Sequence, residues 1–318
     1  MHRRLIGMKN NERTTSDPAA GLGELAALIE RHAPTDGSHE TAVPALRFIR
    51  ATDTYGTVHS VYTPSLCIIA QGAKTASLAD ERYRYDPASY LVTSVHLPIA
   101  GRVVRASPEE PYLGLHLGFG TDDILDLAEE FDPASYGGTE VERGIGIDTL
   151  TPELLDAVVR LVRLLDSPQD VPVLAPLVIR ETLYRVMQGK LRRMMLTFAA
   201  AGSHSHRIAG AIRLIRRDFD KPLRIERLAK EVHMSASALH KHFKKATAMS
   251  PLQYQKAIRL QEARRLLLAE SLEAADAAFR VGYESPTQFS REYARMFGLP
   301  PISDVQSVRG ALLASERR

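Results

Sequence analysis

One segment near the C-terminus recurs fifty positions further on, and a chain carrying the same helical unit twice has few architectures open to it. Ser235-Ala-Ser-Ala-Leu239-His-Lys-His-Phe243 is followed at that offset by Ser285-Pro-Thr-Gln-Phe289-Ser-Arg-Glu-Tyr293. In each, a Ser able to cap a helix precedes a stretch whose apolar residues fall four apart, the spacing of one helical face. The ends correspond too, with Thr247-Ala-Met-Ser-Pro251 opposite Phe297-Gly-Leu-Pro-Pro301. Upstream lie two Ala-containing helical runs, Leu228 to Val232 and Ala274 to Val281, where the offset slips by one residue. Each copy reads as helix, short turn, helix, the motif whose second helix enters the DNA major groove. Two copies in one chain supply both half-sites without a dimer.

Charge divides the chain the same way. Residues 201–318 carry 21 Lys and Arg against 12 Asp and Glu, a net of +9, whereas residues 1–200 carry 20 against 26, a net of −6. A basic half joined to an acidic one fits a nucleic-acid-binding module beside a separate non-binding module. No apolar run approaches the eighteen residues of a membrane helix, so no membrane partner is expected. Met1 to Lys9 runs straight into polar residues, so no signal peptide is expected, and a lone Cys67 suits a reducing, cytoplasmic setting.

Three segments follow from texture: 1–20 as a polar, disordered tail, 21–200 as one folded unit, and 201–318 as the double helix-turn-helix. Leu22 to Arg31 reads as a short amphipathic helix. From Ala45 to Leu117, short runs rich in Val, Ile, Leu and Tyr alternate with turn residues (Leu46–Ile49, Val58–Tyr62, Leu66–Ala70, Tyr90–Val95, Val103-Val104, Tyr112–Leu117). Such spacing predicts a small antiparallel barrel or sandwich. Helices are expected over Asp122 to Glu130, over Glu153 to Asp166 behind a Thr151-Pro152 cap, and from Leu174 to Gln188. Ala199 to His206 reads as a linker.

The C-terminal half, from Arg207 to Asp304, resembles the DNA-binding domain of the AraC/XylS family of bacterial transcription regulators. The residues that carry the resemblance are Ala277-Ala-Phe-Arg-Val281-Gly282-Tyr283-Glu284-Ser285-Pro-Thr-Gln-Phe289-Ser-Arg291-Glu-Tyr293, followed by Phe297-Gly298-Leu-Pro300-Pro301. One departure stands out: Ala248 replaces the family's usual Gly before Ser-Pro, and a position needing positive φ would be strained by it. The N-terminal half is similar to a subgroup of the same family through Pro64-Ser-Leu-Cys67-Ile-Ile-Ala-Gln71-Gly72, Tyr90-Leu-Val-Thr-Ser-Val-His-Leu97-Pro98 and Pro111-Tyr112-Leu. That resemblance implies an α+β multidomain protein: a cupin-like β-barrel with flanking helices that often dimerise, then an all-α double helix-turn-helix. It also implies an activator whose partners are promoter double-stranded DNA, a small-molecule effector of unknown identity, RNA polymerase and a second copy of the chain.

If Leu239 and Phe243 turn inward, the opposite face of that helix carries Ser237, His240, Lys241 and Lys244. By residue-wise match, Ser237, His240 and Lys241 are candidates for base edges, while Lys244 and Lys245 suit phosphates. In the second copy Thr287, Gln288 and Arg291 face outward, where Arg can take guanine and Gln adenine in bidentate fashion. Between the copies, Ser250-Pro251 opens a helix through Ala269. At about 1.5 Å per residue it spans roughly 28 Å, close to the roughly 34 Å between adjacent major-groove segments. Its basic residues Lys256, Arg259, Arg264 and Arg265 read either as phosphate contacts or as solvated surface.

Other chemistry is weaker. His204-Ser-His206 and His240-Lys-His242 lack completing Cys or carboxylate ligands, and His59, His96 and His116 stand singly, so no metal is expected. No phosphate loop, nucleophile elbow or paired-carboxylate motif occurs, and no cofactor or catalytic residue is assigned. A cupin-type enzyme fused to a DNA-targeting domain is the alternative reading. Cys67 lies in an apolar run and reads as a packed thiol, with effector or redox sensing as its functional reading.

Overall fold

A computed structural model of the 318-residue chain describes residues 18–54, 56–132, 140–270 and 272–315. Most of the expected disordered tail thus lies outside the described residues, but Pro18, Ala19 and Ala20 are helical. They open α1 (Pro18–His32), which turns Leu25, Leu28 and Ile29 inward at helical spacing.

Nine strands follow among the described residues before the next helix: β1 (Gly37–Glu40), β2 (Leu46–Ala51), β3 (Val58–Tyr62), β4 (Ser65–Gln71), β5 (Ala73–Leu78), β6 (Glu81–Tyr85), β7 (Ser89–Thr93), β8 (Leu97–Arg105) and β9 (Tyr112–Gly118). With β10 (Ile145–Thr149) they form two antiparallel sheets, ordered β1-β2-β9-β4-β7-β10 and β3-β8-β5-β6. Where a barrel or sandwich is expected, the strands form two separate ladders that do not close, whose edges are β1 and β10 in one and β3 and β6 in the other. β4 is central to the larger sheet, and α1 packs against it, so all but its last residue are buried. A strand covered on both faces loses the polar half of its alternation, which is why Leu66-Cys-Ile-Ile-Ala70 reads as an unbroken apolar run.

Helices enclose the sheets: α2 (Thr121–Ala128), α3 (Pro152–Arg163) with a 3₁₀ turn at Leu164–Asp166, α4 (Val171–Met187) and α5 (Arg192–Ala199). Thr151 caps α3 by accepting from Leu154 N at 3.3 Å, with Pro152 at the first helical position. The expected linker at 199–206 shrinks to residues 200–203, because α5 closes at Ala199 and α6 (His204–Arg217) opens at His204. α5 packs on α6 and so joins the two halves.

The remaining chain is helical: α7 (Ile225–Glu231), α8 (Ala236–Thr247), α9 (Pro251–Ala269), α10 (Ala274–Arg280), α11 (Pro286–Phe297) and α12 (Pro301–Ser315). Two apolar cores result. One runs from the sheets through α6, α7 and α8 to Tyr254 and Ile258 in the first half of α9. The other gathers Leu260, Ala263, Leu266 and Leu267 from the second half of α9 with Val281, Phe289 and Tyr293. Burying each such large side chain stabilises by about 1.5–3 kcal/mol, so each unit is held mainly by its own core. No helix among the described residues is long and apolar enough to cross a membrane.

Candidate nucleic-acid interface

The two helical units close their turns alike. Met234 N donates to Ala229 O at 2.9 Å, and Tyr283 N donates to Ala278 O at 2.9 Å. The residue before each donor takes positive φ, 54° at His233 and 86° at Gly282, the left-handed cap that ends α7 and α10. The slip in the repeat lies just beyond: Ser235 follows His233 by two positions, whereas Ser285 follows Gly282 by three. Gly282 also permits a close approach. A Cβ there would come within 1.9 Å of the Asp220 carbonyl oxygen and 2.8 Å of Arg259 Nη2.

In α8 the capping Ser235 hydroxyl accepts from Ala238 N at 3.2 Å, and Leu239 and Phe243 are fully buried. Phe243 meets Tyr254 of α9 edge to face, with ring centres 5.5 Å apart. Anchoring that face leaves Ser237, His240, Lys241 and Lys244 exposed, as the spacing predicts, and Lys245 is exposed beside them. The C-terminal end of α8 is less open. Arg143 donates to Lys244 O at 2.8 Å and also to Lys245 O, and Gly144 N donates to Ala246 O at 2.8 Å. Lys245 itself pairs with Glu140, so the ammonium expected on phosphate lies against the acidic half. The segment before β10 thus satisfies carbonyls that a helix end leaves unpaired.

In α11 the Ser285 hydroxyl accepts from Gln288 N at 3.3 Å, Phe289 and Tyr293 are fully buried, and Thr287, Gln288 and Arg291 are exposed. Gln288 is partly engaged, since its Nε2 donates to Glu292 at 3.1 Å. Glu292 also accepts from Lys256 Nζ at 2.7 Å and from the Tyr283 hydroxyl at 2.8 Å. Arg291 forms no ion pair among the described residues.

The basic residues of α9 have internal partners rather than a free face. Arg259 donates to the carbonyls of Phe219 at 2.6 Å, Gly282 at 2.8 Å, and Asp220 and Lys221 at 3.0 Å each. Arg264 makes a two-pronged pair with Asp304, and Arg265 pairs with Glu262. The contacts of Arg259 and Arg264 tie α9 to the loop after α6 and to the second unit, while the Arg265 pair stays within α9.

The two recognition-helix candidates end differently. Gly298 closes α11 at φ 83°, while Ala248 closes α8 at φ 60°. The left-handed conformation costs an L-residue about 1–2 kcal/mol relative to glycine. We expect Ala248→Gly to stabilise the full chain by about 1 kcal/mol, after the added backbone entropy of glycine is subtracted. Urea unfolding followed by circular dichroism would show it as a higher midpoint; an unchanged or lower midpoint would remove the strain argument.

In the acidic half, Cys67 is buried on β4, and burial pushes its thiol up to about 11, which keeps it protonated at neutral pH. His116 on β9 and His96 before β8 are each pushed down to about 4, chiefly by burial. Among the described residues no group of three His, Cys, Asp or Glu side chains is placed to hold a metal ion.

Comparison with known proteins agrees with this geometry. Residues 42–194 match the AraC-type transcriptional regulator N-terminus, and residues 228–305 match a helix-turn-helix domain. The chain is 28% identical over 126 residues to the HTH-type transcriptional regulator ArgR of Pseudomonas aeruginosa, covering 40% of this chain and 38% of that protein. It is 34% identical over 90 residues to the lactose operon transcription activator of Staphylococcus xylosus, covering 28% and 32%. It is 28% identical over 134 residues to the activator RhaS of Klebsiella pneumoniae, covering 42% and 48%. The matched stretch thus spans less than half of each of these relatives. Among solved structures, ToxT of Vibrio cholerae with a bound unsaturated fatty acid shares the fold, with a TM-score of 0.55 at 12% identity over 81% of this chain and 92% of that one.

Proposed function

Because the chain belongs to the AraC/XylS family of transcription regulators, we propose that it is a one-component regulator that reads promoter double-stranded DNA through α8 and α11 and senses a small molecule through its N-terminal half. The observation that carries this reading is the pair of Ser-capped helices, each anchored by two buried side chains and presenting polar and basic residues outward. In it, Ser237, His240, Lys241, Thr287, Gln288 and Arg291 contact base edges or flanking groups, and Lys244 contacts phosphate. Lys245 reaches phosphate only after leaving Glu140.

The sensor occupies 21–200 and the DNA-binding half 201–318. The two sheets are read as a cupin-like sensor, although their ladders do not close. Val173 and Leu177 of α4 are 67% and 61% exposed one helical turn apart, which supports a homodimer through this helix. Activation through RNA polymerase and a cytoplasmic location accompany the family reading, and Cys67 is assigned a packing role.

The test is DNA binding by the full chain, using promoter DNA identified by genome-wide mapping of bound sites. Affinity should fall steeply with salt, because Lys and Arg release counterions from phosphate. Arg291→Ala should lose about 1–3 kcal/mol on the specific site and relax preference at one or two base pairs. Equal loss on specific and random DNA would reduce Arg291 to a backbone contact, and salt-independent binding would count against the whole reading.

A further inference from the structure

Behind the outward face of α11 stands a second layer of contacts. Gln288 and Glu292 lie one helical turn apart, and Gln288 Nε2 donates to Glu292 Oε1 at 3.1 Å. The same carboxylate is held from two other sides. Lys256 Nζ of α9 donates to Oε1 at 2.7 Å, and the Tyr283 hydroxyl donates to Oε2 at 2.8 Å. Tyr283 is itself buried, meeting the Phe289 ring edge to face at 5.4 Å with the Arg259 guanidinium 5.9 Å from its own ring centre. Glu292 is therefore braced against the core of the unit, with its side chain 18% exposed. Partial burial works against its charge, but the bonds from Lys256, Gln288 and Tyr283 hold its carboxyl below the ordinary value, so it is ionised at neutral pH.

An ionised carboxylate only accepts hydrogen bonds, so it dictates which end of the Gln288 amide faces it. The NH2 group turns to Glu292 and spends one N–H there. The carbonyl oxygen and the second N–H are left for DNA, and Gln288 is exposed. That remaining pair complements adenine, whose major-groove edge offers the N6 donor and the N7 acceptor. Guanine offers two acceptors, O6 and N7, and sets O6 against the Gln288 carbonyl. An amide free to turn over can instead give guanine its NH2 group, so an unsupported Gln separates the two purines less strictly.

The first unit lacks this arrangement. Fifty positions earlier, Ala238 stands for Gln288 and His242 for Glu292, and Met234 takes the place of Tyr283 in the turn. The His242 ring stacks on His204 of α6 instead, with centres 4.6 Å apart.

We propose that Glu292 is a positioning residue for base reading, locking the Gln288 amide in the one orientation that selects adenine over guanine at a single base pair. The proposal rests on the regulator reading and adds a base preference confined to the half-site of α11.

The test is selection from a randomised duplex library by the full chain, with base preference read position by position. The pair read by Gln288 is the one whose preference Gln288→Ala abolishes. We expect adenine there over guanine by about tenfold in the unaltered chain and by about twofold or less in Glu292→Gln, which keeps the shape but can present either a donor or an acceptor. Preference elsewhere, including the pair read by Arg291, should persist in Glu292→Gln. Gln288→Ala combined with Glu292→Gln should match Gln288→Ala alone at this pair. Undiminished adenine preference in Glu292→Gln would overturn the proposal. So would guanine as the preferred base, a loss spread evenly over all positions, or no position altered by Gln288→Ala. An unaltered chain that enriches no sequence sinks the regulator reading itself, whereas enrichment with any of the former results sinks only the amide lock.

Discussion

Gly282→Ala is expected to unseat the second helix-turn-helix unit while leaving the first in place. The new methyl would stand 1.9 Å from the Asp220 carbonyl oxygen, a backbone atom that cannot swing aside. It would also hold an L-residue at φ 86°. Overpacking of about 1–3 kcal/mol adds to a left-handed penalty of about 1–2 kcal/mol, for a combined destabilisation of about 2–5 kcal/mol. Relief by backbone shift would pull Gly282 O from Arg259 Nη1, now 2.8 Å away, and loosen a guanidinium that holds four carbonyls together. Hydrogen exchange should show early opening of α10 and α11, with α6 to α8 still protected. Affinity for a two-half-site operator should fall to that of one half-site. Uniform protection with wild-type affinity would refute the packing argument.

The second large effect concerns Asp304, which is 4% exposed. Its oxygens accept from Arg264 Nε at 2.7 Å, from Arg264 Nη2 at 2.8 Å and from the Tyr293 hydroxyl at 2.7 Å. Asp304→Asn keeps the shape but removes the charge and turns an amide donor toward groups that are themselves donors. Breaking one side of a buried pair costs about 3–5 kcal/mol, because the remaining ion stays desolvated. The loss should appear in denaturant unfolding of the full chain. Replacing both partners together, as Arg264→Met with Asp304→Leu, should restore most of it. A double replacement as damaging as the single one would show that geometry rather than stranded charge decides.

How much could be read from sequence depended on how local the code is. Ser250-Pro251 and the apolar spacing behind them place α9 over the observed residues, because capping and helical periodicity act within a few positions. The outward faces of α8 and α11 followed from Leu239, Phe243, Phe289 and Tyr293 for the same reason. β5 and β6 escaped notice because Ala73-Lys-Thr-Ala-Ser-Leu78 and Glu81-Arg-Tyr-Arg-Tyr85 carry few β-branched residues. Their turn uses Ala79, at φ 51°, rather than glycine. β10 finds its partner in β7, some fifty residues earlier, and α5 is buried from Met194 through Ala199, which erases any stripe. The basic residues of α9 looked available because Glu292 and Asp304, which neutralise two of them, lie 36 and 40 positions away. The pairing of Lys245 with Glu140, across 105 positions, leaves no local trace at all.

The boundary between the two apolar cores does not coincide with the boundary in charge. It cuts through α9, between Ile258 and Leu260, so the first DNA-binding unit shares its interior with the sensor and the second has a core of its own. Cooperative melting follows shared interior rather than shared function, since a block opens as a whole only where its side chains are mutually buried. The chain therefore consists of two folding blocks of unequal size, hinged on one continuous helix. A disturbance in the sensor reaches one reading head through solid packing, and the other through the backbone of α9, the contacts made by Arg259 and the edge-to-face contact of His59 on β3 with Phe297 of α11. The two heads are thus unequal listeners, although their sequences are near copies.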